Sequence, residues 1–273
     1  MTASRPEARR AVWLFLGLLL AFSSVFYAFV WLSPDAGKRW LSYSGAFMWC
    51  PGLAALLTQF ALHRNLRGLG WRFGAVKYYL LAYGLPLAFC VPVYVLVWLL
   101  GNAALAILAA VLAPTGIVAT LGEELGWRGL LVPRLATWMD LTRTSLVTGV
   151  VWSLWHYPVH FAVLPVYLPR LPLWYATACF TVSVVAISFV YTWLRLSSGS
   201  IWPGALLHAT SNAFQAAFET LTKHDDVTSY FTYEYGLGFA VTIPLIAIPF
   251  WRRLRRMERG SSASARPAAG TGI

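Results

Sequence analysis

No charged side chain stands between Lys77 and Glu123. A bilayer's hydrocarbon core takes about 20 residues of helix to cross, so this stretch is too long for one span. Gly101-Asn102 supplies the most economical turn inside it. The same pattern recurs along the chain, at approximately 11–32, 42–62, 78–100, 103–121, 145–163, 172–194, 201–219 and 236–251. These segments predict an all-α, polytopic transmembrane helix bundle of about eight spans. Composition agrees: 11% of residues are charged and 59% hydrophobic, against about 25% charged for a soluble domain. The run from Ala11 to Leu32 is longer than a signal-peptide core and ends in no small-x-small cleavage site, so it reads as the first span. Residues 1–10 read as a cytoplasmic N-terminus and 11–258 as the bundle. The Ser-, Ala- and Gly-rich residues 259–273 read as a disordered tail.

The net charge of +11 raises the question of nucleic acid. The basic residues sit between the apolar runs and at both ends, the pattern of loops facing anionic lipid, with no basic patch for phosphate. With both termini in the cytoplasm, seventeen of the 21 Lys and Arg fall inside; only Lys38, Arg39, Arg170 and Lys223 fall outside. That split predicts an even number of spans in the cell membrane. It also places Asp225, Asp226 and Glu234 outside. Cys50, Cys90 and Cys179 lie in apolar stretches without CxxC spacing, as buried free thiols do.

Polar residues inside apolar helices are costly and point to function. Glu123 and Glu124 are adjacent and so point about 100° apart on a helix. Glu124 and Arg128 are spaced for an ion pair on one face, leaving Glu123 to act on water as a base. His156 lies in Trp152-Ser153-Leu154-Trp155-His156, and His160 follows one turn later, with Pro158 expected to distort the helix between them. Imidazole can bind metal or water, or donate a hydrogen bond. His160, nearer the outer end, reads as a hydrogen-bonding group. His208 and Asn212, one turn apart, can both donate towards a developing oxyanion. The other reading of each group is structural: an interfacial charge cluster, a helix cap, and polar glue between helices.

Taken in order, Glu123-Glu124-Leu125-Gly126-Trp127-Arg128, Trp152 to His156, and His208 to Asn212 resemble the motifs of the CPBP family. These are Abi-type membrane proteins that include the type II CAAX prenyl endopeptidases. The likeness covers about residues 115–220. Trp152 stands where many members carry Phe, and the third motif ends in Asn, the form of the peptidase branch. The resemblance implies that Glu123 activates water, that His156 helps hold it, and that His208 and Asn212 stabilise the oxyanion. Glu124 and Arg128 would support the site. The implied substrate is a peptide or membrane-associated protein, with prenylated CAAX proteins as one class; bacteriocin immunity and other peptide processing are alternatives.

The family has been described both as metalloproteases and as glutamate proteases without metal. Two His and one Glu suit zinc with an open water position. The spacing lacks an HExxH helix, and the His–Asn pair suits donors better than ligands, which favours the metal-free route. Outside the resemblance, the same buried polar groups would serve a proton or ion relay or a non-catalytic scaffold. The absence of an internal repeat argues against a typical transporter.

Overall fold

The computed structural model of the chain describes residues 4–33, 35, 37–102, 115–223 and 226–264. Its regular elements are helices: α1 (Arg5–Leu32), α2 (Trp40–Met48), α3 (Cys50–His63), α4 (Val76–Val97), α5 (Thr115–Glu124), a π-helix (Leu125–Leu131), α6 (Val132–Leu135), α7 (Leu141–Tyr167), α8 (Leu173–Ser198), α9 (Trp202–Thr220), α10 (Asp226–Ser229) and α11 (Leu237–Ser264). A π-helical turn, Trp98–Asn102, extends α4. No β-strand occurs among the described residues.

Local chemistry sets several helix ends. The Ser4 side chain accepts from the Glu7 N–H at 3.4 Å, with Pro6 in the first turn of α1. Asp140 caps α7 by accepting from the Arg143 N–H at 2.7 Å. At the end of α8, Gly199 takes the left-handed conformation (φ 68°) and donates to the Arg195 carbonyl.

Five described helical stretches are long and apolar enough to cross a membrane: Arg5–Leu32, Trp40–His63, Val76–Leu100, Leu173–Ser198 and Leu237–Gly260. The chain is therefore read as a multi-pass membrane protein. α7 and α9 fall outside that set, because Thr, Ser, His and Asn interrupt their apolar sequence. They are packed by the others: α7 against α8, α8 against α11, and α9 between α4 and α5.

Two features bring the polar elements together. The second apolar segment breaks at Trp49, between α2 and α3, with Pro51 in the first turn of α3. The π-helix sits directly on that break, and a Cβ on Gly126 would lie 2.4 Å from the Pro51 Cβ. Around this contact the aromatic core closes, with Phe47 stacked on Trp155 at 4.0 Å and Trp127 edge-on to Trp155 at 5.6 Å.

Some local expectations need correction. At Gly101-Asn102 the backbone continues from α4 as a π-helical turn rather than a tight turn; 103–114, the start of the fourth expected segment, lie outside the described residues. α7 runs unbroken through Pro158 and Pro165. The Pro158 carbonyl accepts from the Trp31 indole at 2.9 Å, which ties this part of α7 to α1. α11 continues to Ser264, with 265–273 outside the described residues.

Candidate active site

Every residue from Gly122 to Val132 is buried, and Glu123 and Glu124 lie at the junction where α5 becomes the π-helix. Single turns of π-helix recur at functional sites because they re-aim side chains within a helix. Glu124 is fully buried; its Oε1 accepts from Arg128 Nη1 at 2.8 Å and faces His208 Nδ1 at 3.1 Å. The Arg128 guanidinium carbon lies 3.6 Å from the Tyr191 ring centre and 4.2 Å from that of Trp152. Its Nε and Nη2 have no hydrogen-bond partner, so the aromatic faces take their place in satisfying the cation. Gly204 lets α9 close on this pair: a Cβ there would lie 2.9 Å from Glu124 Oε2. The Arg128 carbonyl accepts from Arg195 Nε at 2.7 Å, which ties the π-helix to α8.

Glu123 faces a different set of partners. Its Oε2 accepts from the Trp152 indole at 2.7 Å and from the Trp127 indole at 3.2 Å. Its Oε1 has no hydrogen-bond partner among the described residues and is not sealed off as a buried orphan. One oxygen is thus clamped and the other is free.

The imidazoles are oriented by their Nδ1 atoms. His156 Nδ1 lies 2.9 Å from the Trp152 carbonyl. A carbonyl only accepts, so Nδ1 carries the proton and Nε2 presents a lone pair. His208 Nδ1 donates to Glu124 in the same way, leaving Nε2 for another partner. Trp152 joins the group: its ring lies 5.5 Å from that of His208 and 6.2 Å from that of His156. Asn212 stands apart: it is exposed, and no hydrogen bond or ion pair joins it to a described residue. Its amide is free for a ligand.

The polar atoms left uncommitted are Glu123 Oε1 and the Nε2 atoms of His156 and His208. Glu123 Oε2 is held by two indoles, and both Nδ1 atoms are committed to protein oxygens. Among the described residues, no group of three or more His, Cys, Asp or Glu is placed to hold a metal ion.

Several residues of this centre carry no chemical signal in the sequence. Trp152 and Trp127 read as motif aromatics, yet each donates to Glu123. Tyr191 reads as span interior, yet it caps Arg128. The loop between α10 and α11 brings Glu234 within electrostatic reach of Glu123 and His208, and its Tyr235 hydroxyl lies 3.2 Å from His160 Nε2. Hydropathy carried no signal for this, because the loop's polarity matches an ordinary connection outside the membrane.

The likeness read from the three motifs is borne out by comparison with known proteins. Residues 104–214 match the family described as "Type II CAAX prenyl endopeptidase Rce1-like", a range that holds all six candidate residues. Over 84 residues the chain is 31% identical to "CAAX prenyl protease 2" of Methanococcus maripaludis. That alignment covers 30% of this chain and 31% of the relative, so the chain spans about a third of the length of the relative it matches.

Proposed function

We propose that the protein is an intramembrane endopeptidase that hydrolyses a peptide bond of a membrane-associated, CAAX-type prenylated substrate, with both of its own termini in the cytoplasm. The observation that carries this reading is the asymmetry of Glu123, with Oε2 fixed by two indole N–H groups and Oε1 free. The likeness to that family and that relative supports the choice of substrate class.

In this mechanism a water sits between Glu123 Oε1 and His156 Nε2. Glu123 takes its proton as the oxygen attacks the scissile carbonyl carbon. His208, carrying both ring protons beside the Glu124 carboxylate, donates from Nε2 to the developing oxyanion. The free amide of Asn212 supplies a second donor. Arg128 neutralises Glu124, so the buried carboxylate holds His208 rather than competing with Glu123 for the water. Water activation is metal-free.

The test uses the protein in liposomes with prenylated and unprenylated CAAX peptides, with and without a chelator, cleavage being read by mass spectrometry. Cleavage of the prenylated peptide that survives the chelator is expected. Loss of cleavage on metal removal, restored by zinc, would overturn the metal-free mechanism. Failure to cleave any member of the set would overturn the substrate class.

A further inference from the structure

Arg195 lies in the last turn of α8, where a long basic side chain ordinarily reaches out to water. Here it is folded inward and only 8% exposed. Its Nε donates to the Arg128 carbonyl at 2.7 Å and its Nη2 to the Gly68 carbonyl at 3.3 Å. Gly70, at φ 90°, lays its backbone against the guanidinium: a Cβ there would lie 2.9 Å from Arg195 Cζ. The Gly70 carbonyl accepts from the Ile201 N–H at 2.9 Å. A Cβ on Gly129 would lie 3.2 Å from the Leu69 carbonyl oxygen. The segment 64–75, the π-helix and the turn between α8 and α9 thus meet at this one side chain.

Both partners of the guanidinium are neutral. No ion pair joins Arg195 to a carboxylate among the described residues. The sequence places none close by: no Asp or Glu stands between Asp35 and Glu123, or between Asp140 and Glu219. Those stretches contain the segment 64–75, with its Arg64, Arg67 and Arg72, and the turn between α8 and α9. Glu124 is taken up by Arg128, and Glu123 by two indoles. A buried cation without a counter-charge is costly. Arg195 Nη1 has no hydrogen-bond partner among the described residues and is not sealed off as a buried orphan. The open end of a guanidinium is a planar fork that fits a carboxylate.

We propose that Arg195 binds the free C-terminal carboxylate of the substrate, so that the chain end is measured off against Glu123. This rests on the endopeptidase reading above. In the orientation proposed there, this end of α8 faces the cytoplasm. The lengths agree in scale. Arg128 follows Glu123 by five residues, roughly 8 Å along a helix, and Arg195 Nε stands 2.7 Å beyond the Arg128 carbonyl. The prenylated Cys of a C-a-a-X sequence has three residues after it, an extended length of about 10 Å. A lipid phosphate offers the same oxyanion chemistry. The bond to the π-helix favours the peptide, because it puts the cation on the element that begins beside Glu124.

The test compares one prenylated CAAX peptide ending in a free acid with the same peptide ending in an amide, in neutral phosphatidylcholine liposomes. Wild type is expected to cleave the amide with a kcat/KM at least tenfold lower, since a site built for a charged group rejects the analogue without it. Equal cleavage of the two would overturn the proposal. In Arg195→Gln the acid should fall to the level of the amide. A purely structural role would lower both alike and keep the wild-type ratio, which also overturns it. Where the unfolding midpoint shows that Arg195→Gln does not fold, Arg195→Lys replaces it. Lys loses the planar fork, so the ratio should drop, and a wild-type ratio would count against the proposal. If wild type cleaves neither peptide, the endopeptidase reading fails. The carboxylate site is then read without turnover, by fluorescence anisotropy of labelled acid and amide peptides on Glu123→Gln protein. Acid binding at least tenfold tighter supports it, and equal binding overturns it. If binding is equal while phosphatidylglycerol raises the unfolding midpoint of wild type and not of the Arg195 variant, the anion is a lipid headgroup and the proposal is wrong.

Discussion

Along α1, Trp13, Leu20 and Leu32 turn 73%, 64% and 81% of their surface outward, while from Gly122 to Val132 no residue is exposed at all. The two regions obey opposite rules. The outer helices turn large apolar side chains outward, because lipid is as good a partner for Leu as another Leu is. The inner elements, α5 with its π-helix, α7 and α9, hold Glu123, Glu124, Arg128, His156 and His208, and protein surrounds them. Buried charge is tolerated there because each ion has a fixed partner: Arg128 for Glu124, two indoles for Glu123. The comparison teaches that apolarity marks where this chain meets lipid, and that departures from apolarity mark its centre.

The largest expected effect comes from breaking the inner ion pair. Arg128→Ala leaves Glu124 buried without its counter-ion and should cost about 3–5 kcal/mol in denaturant unfolding in detergent. A loss no greater than that of a lipid-facing truncation would erase the distinction between the two regions. Trp152→Phe keeps the ring but deletes the 2.7 Å hydrogen bond to Glu123. Bonds to charged groups contribute about 1.5–3 kcal/mol. Without that bond the carboxylate is no longer held in its aimed position, and the cleavage rate should fall roughly 10- to 100-fold, which a peptide assay reads directly. At the small end, Leu20→Ala on the outward face of α1 should change stability by no more than about 0.5 kcal/mol by the same unfolding measurement. A larger change would mean that this face packs against something other than lipid.

Much of the fold was legible in the sequence, because hydropathy and helix periodicity are local. Each of the eight apolar segments holds a helix among the described residues, and the spacing of Glu124 and Arg128 pointed to their ion pair. Features set by contacts between distant segments were not legible. The break at Trp49 falls inside an unbroken apolar run, and it makes sense only once the π-helix is seen seated on Pro51. The π-helix has no sequence signature. Trp152 follows the motif spacing, but nothing in that spacing says that its indole reaches Glu123, 29 residues away. Charge alone puts the segment around Glu234 in an outer loop, and nothing in its sequence says that its Tyr235 hydroxyl lies 3.2 Å from His160.

The central claim is that two adjacent carboxylates have separate tasks, and the most direct test is the cleavage rate of Glu123→Gln. The protein would be reconstituted with a prenylated CAAX peptide, its unfolding midpoint measured beside that of wild type. The account predicts a rate lower by about 10²- to 10⁴-fold, the scale of general-base catalysis, at an unfolding midpoint close to that of wild type. A Glu123→Gln protein that cleaves at the wild-type rate would contradict it.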